Sequence, residues 1–423
     1  MAPSLLRNTL FYLPAQFLGP LVQFAVVVIW THLLDPAAFG VVTFVVAAQE
    51  VTALIGVVWW SIYMLRFRQR HAGADAERFR AMDARIVAAG ALGQAVMAPL
   101  CLLAIGVAPD PWLAGALTLY LVARLALGHF SEWARSDHRI AAYSFAQIAA
   151  PLVGSVLSVA AILLFGPSPA VALTALALGQ ATGVVGLMAA LGRRLSLGRF
   201  DRAIFRDALR YSLPLVGAGA FSWIAGNGVR ILVQHVDGVV AVGLLSAGWG
   251  LGQRISNVIA MVCTAAAYPL AVDRMEAGDR DGALAQVANN GLLMFALLAP
   301  AAAGLAALSA PLVDLMIAAE YREITRFVMP VAMIAGAART LRNHTADQAC
   351  LLLDRTRVSM LSNLADAALT TLCAAVGLAM AGIAGAAAGA LAGTAIAATG
   401  AILYAAARLR LRLDPGAMAR VCV

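Results

Sequence analysis

Residues 140–165 read IAAYSFAQIAAPLVGSVLSVAAILLF, an uncharged run that is long enough to cross a bilayer as an α-helix. The whole chain has the same character. Of its 423 residues, 62% are hydrophobic and only 12% are charged, whereas a soluble domain carries roughly 25% charged residues. Such a chain has too little polar surface to face water on all sides, so its apolar side chains must face lipid. The composition predicts a polytopic membrane protein rather than a soluble enzyme.

Apolar runs of similar length recur along the sequence and alternate with short polar turns. They predict an all-α fold of twelve transmembrane helices. The spans are expected at 8–33, 39–65, 84–108, 112–133, 140–165, 169–191, 211–235, 239–270, 284–308, 325–352, 357–381 and 383–407. The small-residue series Gly385, Gly389 and Gly393 in the last span indicates close helix packing.

The arginines are distributed very unevenly between alternate loops. With the amino terminus in the cytoplasm, 23 of the 30 basic residues lie in inner loops, and only Arg322 and Arg326 lie in outer loops. This asymmetry follows the positive-inside rule and predicts that both termini are cytoplasmic. Because the net charge of +8 collects in these loops, it does not indicate a nucleic-acid-binding face.

The two halves of the chain resemble each other. Ala123-Arg124 is followed by His129 and Glu132, and Ala338-Arg339 is followed at the same spacing by His344 and Asp347. We predict an amino-terminal lobe at 1–191, a cytoplasmic interfacial linker helix at 192–210 and a carboxy-terminal lobe with a short tail at 211–423. Since each lobe has an even number of spans, the two are expected to be related by a pseudo-two-fold axis along the membrane normal.

Ionisable side chains within the spans are costly in lipid, so they are expected to face a cavity or a partner. An excess of arginine suits an anionic substrate such as a pyrophosphate. The predicted substrate-binding residues are Arg124, Arg230, Arg254, Arg339 and Arg342. The predicted coupling or cavity-lining residues are Glu50, His129, Glu132, His344 and Asp347.

Two alternatives remain open for these residues. Each arginine could instead be neutralised by an acid as a structural ion pair, and Asp366 in span eleven is a candidate partner. The pairs His129/Glu132 and His344/Asp347 are spaced i,i+3 on a helix face. They could bind a proton or simply satisfy each other. No metalloprotease, Walker or serine-hydrolase motif occurs, so we expect no enzymatic chemistry, cofactor or metal.

Two segments carry a family resemblance. Residues 31–43, THLLDPAAFGVVT, resemble the first outer turn of the polysaccharide-biosynthesis and O-antigen flippases of the multidrug/oligosaccharidyl-lipid/polysaccharide (MOP) exporter superfamily. Residues 310–321 are similar to that family's outer loop before span ten. The resemblance implies a MATE-like fold of two six-helix lobes in the bacterial inner membrane.

The resemblance also implies a function. Such a flippase moves polyprenyl-pyrophosphate-linked oligosaccharide to the periplasmic leaflet for O-antigen or exopolysaccharide assembly. Its expected partners are that substrate, membrane lipids, and a polysaccharide polymerase and glycosyltransferases, and we expect a monomer. The alternatives are a cation-coupled multidrug exporter and a non-transporting scaffold of a glycan assembly complex.

Overall fold

The computed structural model describes residues 2–71, 76–108, 110–192 and 200–413, together with positions 416, 418 and 420. Over these residues the chain is helical and has no β-strand. The α-helices are α1 Ala2–Leu33, α2 Pro36–Ala53, α3 Trp59–Phe67, α4 Ala76–Ala104, α5 Pro111–Ser136, α6 Ile140–Phe165, α7 Pro169–Leu191, α8 Arg202–Glu276, α9 Arg280–Met316, α10 Ala319–Arg342, α11 Gln348–Leu352 and α12 Thr356–Leu409. The π-helical turn Leu54–Val58 joins α2 to α3, and Asn343–Asp347 joins α10 to α11.

Within the described ranges, nine helices are long and apolar enough to cross a membrane, counting Pro36–Phe67 and Ala319–Leu352 as continuous spans. Two of the nine are interrupted. Helix α8 loses helical backbone angles at Gly238, and α12 loses them at Ala381 and Gly382. Both breaks lie where the sequence placed a turn between consecutive spans. The all-α polytopic class is confirmed, and the count of twelve stays a prediction.

The break in α8 depends on glycine. Gly238 has φ 78° and ψ −173°, a region that only glycine adopts without strain because it has no Cβ. Arg230 precedes this break and Ser246 follows it, and the two side chains hydrogen-bond at 3.2 Å. The chain therefore reverses at Gly238, which turns one long helix into two neighbouring segments.

The chain divides into two compact units, Met1–Ala220 and Phe221–Val423. Residues 193–199 of the predicted linker lie outside the described part. Its remainder begins α8, where Ile204 and Ala208 are buried in the core of the first unit, in a cluster with Trp60 and Met82. This end of α8 therefore packs on the first unit through Ile204 and Ala208, while Phe200 stays exposed, and the interfacial linker helix stays a prediction.

The two segments of α12 pack closely through small residues, as the glycine series predicted. A Cβ added at Gly385 would overlap the carbonyl oxygen of Gly377, and one at Gly393 would overlap the carbonyl oxygen of Leu369. Because backbone atoms occupy this space, a neighbouring side chain cannot rotate away to make room. The two segments approach each other only because these positions have no side chain.

Substitution Gly393→Ala is expected to destabilise the protein by about 1–3 kcal/mol, because the added methyl overfills the contact between the two segments. Gly400→Ala lies on the same segment, where a Cβ meets nothing within 4 Å, and serves as the control. Thermal unfolding of both variants in detergent tests the difference. Equal melting temperatures for the two variants would contradict close backbone packing at Gly393.

Candidate functional site

The first unit contains a buried polar network around Asp83 of α4. Its carboxylate accepts hydrogen bonds from the indole nitrogens of Trp60 at 2.8 Å and Trp133 at 3.0 Å. The same carboxylate lies 2.8 Å from Nε2 of His129. The other ring nitrogen of His129, Nδ1, lies 2.9 Å from the hydroxyl of Ser61. All five side chains are buried, so the network joins α3, α4 and α5 inside the protein.

The predicted pair His129/Glu132 is not formed. Glu132 instead pairs with Arg135 at 2.9 Å on the exposed face of α5. The carboxylate partner of His129 is Asp83, which lies 46 positions earlier in the sequence. The sequence missed Asp83 because this residue falls one position before the predicted start of span three and was assigned to a loop.

A cation lies beside this network. The guanidinium of Arg68 stacks over the Trp133 ring at 4.2 Å and forms an ion pair with Asp137. Burial lowers the pKa of the Arg68 guanidinium, and the nearby Asp83 carboxylate opposes this shift. The negative charge of Asp83 is therefore offset from outside the network as well as by its hydrogen-bond donors.

Arg124 lies at the middle of α5, far from both helix ends. It is half-buried, and no hydrogen bond or ion pair joins its guanidinium to any residue whose side chain the structure describes, a set that begins at residue 18. Arg124 and Glu50 of α2 both lie close enough to the buried Tyr120 to interact with it electrostatically. The structure thus brings Arg124 and Glu50 into one polar group in the first unit.

The second unit holds its two central arginines in an ion-pair network. Arg339 lies 2.9 Å from Asp366 and also donates to the Ala225 carbonyl and the Thr394 hydroxyl. Arg342 lies 3.1 Å from Asp366 and 3.6 Å from Asp347. Two guanidinium groups therefore face two carboxylates.

This network confirms Asp366 as a partner for arginine. The guanidinium of Arg342 is only 1% exposed and hydrogen-bonds Asn343, Asn363 and the Ser362 carbonyl. The contacts of Arg339 and Arg342 are thus those of a structural ion pair, the alternative that the sequence left open. Substrate binding by these two residues stays a prediction.

The predicted pair His344/Asp347 is also not formed. Asp347 turns to Arg342, whereas Nδ1 of His344 lies 3.2 Å from the Thr264 hydroxyl and 3.1 Å from the Gln348 amide. The physical reason is the π-helical turn Asn343–Asp347. Its wider turn separates side chains that an α-helix would align at i,i+3.

Arg230 and Arg254 lie on either side of the Gly238 break and are both half-buried. Arg230 donates to Ser246 and to the side-chain oxygen of Asn227. The two guanidinium groups are near enough to repel each other. The second unit thus contains two pairs of neighbouring arginines, and the pair Arg339 and Arg342 has the carboxylate partners Asp366 and Asp347.

Removing the charge of Asp366 is expected to be costly. Asp366→Asn leaves Arg339 and Arg342 with one carboxylate between them, and breaking a buried ion pair destabilises a protein by about 3–5 kcal/mol. Asp314→Asn is the control, since Asp314 and its partner Arg326 are 45% and 46% exposed and such surface pairs contribute about 0–1 kcal/mol. Unfolding temperatures in detergent test this contrast, and a melting temperature for Asp366→Asn as high as that of Asp314→Asn would contradict it.

The chain matches the model of a known protein family. A model described as "Polysaccharide biosynthesis protein" matches residues 5–275. No curated protein sequence matches the chain significantly.

Several solved structures share the fold. One is the lipid II flippase MurJ in an inward closed conformation, which is 11% identical to this chain and superposes with a TM-score of 0.76. The match covers 98% of this chain and 90% of the MurJ chain. An inward-facing multidrug resistance MATE transporter of the MOP superfamily is 14% identical, with a TM-score of 0.69. The match covers 98% of this chain and 100% of the transporter's chain. A MOP superfamily transporter from Pyrococcus furiosus is 16% identical, with a TM-score of 0.60. This match covers 96% of this chain and 95% of the transporter's chain. These similarities confirm the MATE-like fold, and none of these relatives is an enzyme.

Proposed function

Because the chain belongs to the polysaccharide biosynthesis protein family, we propose that it is a flippase of the bacterial inner membrane. It moves polyprenyl-pyrophosphate-linked oligosaccharide from the cytoplasmic to the periplasmic leaflet by alternating access. The product serves O-antigen or exopolysaccharide assembly. The fold shared with a lipid II flippase supports this proposal. The protein would act as a monomer beside the polymerase and glycosyltransferases that use and supply its substrate.

The single observation that carries the proposal is the position of Arg124. A guanidinium at the middle of a membrane span normally requires a counter-charge or water. No residue from position 18 onward with a described side chain provides Arg124 with a hydrogen bond or ion pair, although Glu50 belongs to the same polar group. A pyrophosphate would accept the two parallel hydrogen bonds that a guanidinium donates. Arg124 is therefore the residue that we assign first to the substrate anion.

The repeat explains why Arg124 differs from Arg339. Span eleven carries Asp366, which pairs with Arg339. The corresponding span of the first half is span five, residues 140–165, and it contains no acidic residue at all. The carboxylate that neutralises the second arginine thus has no counterpart for the first.

Arg230 and Arg254 are the second choice for contact with the anion. Their guanidinium groups repel each other, and a bound phosphate near both would relieve this repulsion. Arg339 and Arg342 are the last choice, since Asp366 and Asp347 already offset their charge.

Two other functions would use these residues differently. A multidrug exporter of cations would need a net negative site, but Glu50 shares its surroundings with Arg124. A scaffold would need no anion site and would tolerate the loss of Arg124. Both alternatives are less well supported than a flippase for an anionic lipid-linked substrate.

Arg124→Ala is expected to reduce polysaccharide export about tenfold to hundredfold, because it removes charge-assisted hydrogen bonds to the pyrophosphate. Arg124→Lys should retain part of the activity, since it keeps the charge but not the planar pair of donors. The measurement is surface polysaccharide in cells whose only copy of the protein is the variant. Immunoblots of the membrane fraction confirm equal amounts of protein.

Arg326→Ala is the matched control, because Arg326 is exposed and pairs with Asp314, and it should export normally. Normal export by Arg124→Ala would remove the anion site and favour the scaffold. Drug resistance on overexpression, with polysaccharide export unaffected by loss of the protein, would instead identify a multidrug exporter.

A further inference from the structure

The network around His129 is arranged so that this side chain can gain and lose a proton without leaving a hydrogen-bonding group unsatisfied. We propose that His129 is a proton-binding site of the first unit, with Asp83 as its fixed counter-charge and Ser61 as a switchable hydrogen-bond partner. The inference concerns proton binding itself, so it does not depend on which substrate the protein moves.

The neutral state follows from the distances around Nε2. Nε2 of His129 lies 2.8 Å from Oδ1 of Asp83 and 2.9 Å from the indole nitrogen of Trp133. Because the indole N–H also has Asp83 as an acceptor at 3.0 Å, we assign a proton to the shorter contact between Nε2 and Oδ1. With the carboxylate ionised, that proton belongs to Nε2. Nδ1 is then the acceptor of the neutral ring, and it receives the hydroxyl of Ser61 at 2.9 Å.

The charged state needs only one rotation. A proton that binds Nδ1 makes this nitrogen a donor, and the Ser61 oxygen is already in place to accept from it. The Ser61 hydroxyl hydrogen then turns to the Val57 carbonyl, whose oxygen lies 3.3 Å away. One proton enters, no covalent bond other than the new N–H forms, and His129 gains a positive charge next to Asp83.

Two tryptophans favour the imidazole over the carboxylate as the place for this proton. The indole N–H groups of Trp60 and Trp133 both donate to Asp83, and an indole nitrogen is a donor only. Hydrogen bonds of this kind stabilise the ionised carboxylate. Proton uptake by His129 therefore converts a buried negative charge into a neutral ion pair, which lowers the cost of burial.

The charged and titratable groups around the network have their own partners. Arg68, above Trp133, pairs with Asp137, and Glu132 turns away to Arg135. On the other side of Trp60, in the aromatic core, the hydroxyl of Tyr63 donates to Asp207 and contacts His71. None of these groups contacts the hydrogen-bonding atoms of the His129 ring.

The repeat supplies a matched control. His344 occupies the position of His129 in the second half, but its ring contacts Thr264 and Gln348. Within the part of the chain that the structure describes, no carboxylate contacts this ring. A histidine at the same place in the repeat therefore lacks the counter-charge that the proposal requires.

Nitrogen NMR of the full-length protein, isotope-labelled at its histidine side chains in lipid nanodiscs, tests the proposal. The imidazole nitrogen signals distinguish the doubly protonated ring from each neutral tautomer. The signal lost in His129→Asn and kept in His344→Asn belongs to His129. This signal should show the Nε2–H tautomer before acidification and the doubly protonated ring after it.

Two further variants test the roles of the partners. Asp83→Asn removes the counter-charge and should leave a smaller fraction of His129 doubly protonated at the same acidic pH. Ser61→Ala removes the Nδ1 partner of both ring states but keeps the counter-charge, so its His129 should still become doubly protonated on acidification. The measurement on the unmodified protein keeps the test decisive if Asp83→Asn does not fold. A His129 signal that does not change on acidification, or a doubly protonated fraction unaffected by Asp83→Asn, would overturn the proposal.

Discussion

The free-energy cost of placing a charge inside a membrane determines how this protein uses its buried side chains. A guanidinium in a hydrocarbon environment persists only where an opposite charge, a hydrogen-bond acceptor or water meets it. In the second unit Asp366 and Asp347 supply this compensation to Arg339 and Arg342. In the first unit, Arg124 has Glu50 in its surroundings but no hydrogen bond or ion pair with a residue whose side chain the structure describes. The same constraint thus yields a structural ion pair in one half of the chain and a candidate anion site in the other.

The two halves of the chain differ in how they compensate charged residues at matching positions. Both halves keep the Ala-Arg motif and the histidine five residues later. Among the residues whose side chains the structure describes, Arg339 has an ion pair with an acid and Arg124 has none, whereas His129 contacts a carboxylate and His344 does not. Over these residues the two halves thus show opposite patterns of partners. A transporter that binds an anion and a proton could place both functions in its first half.

Much of the fold could be predicted from the sequence, because apolar length and glycine depend on local chemistry. The helical class and the breaks at Gly238 and Gly382 follow from these features. The partners of the buried charges were harder to predict. Asp366 was identified as a partner for arginine, but Asp83 was missed because it lies one position before the predicted start of span three, and it meets His129 only when α4 packs against α5. The separation of His344 from Asp347 depends on a π-helical turn, which no residue pattern indicates.

The central claim is that the substrate anion binds at Arg124 and not at the balanced arginines of the second unit. A polyprenyl-pyrophosphate analogue with a photoreactive group next to its phosphates, followed by mass spectrometry of the labelled peptides, tests it directly. We predict that the analogue labels peptides within Pro111–Ser136 and that inorganic pyrophosphate prevents this labelling. Labelling confined to Ala319–Leu352, or labelling of Pro111–Ser136 that persists unchanged in Arg124→Ala, would contradict it.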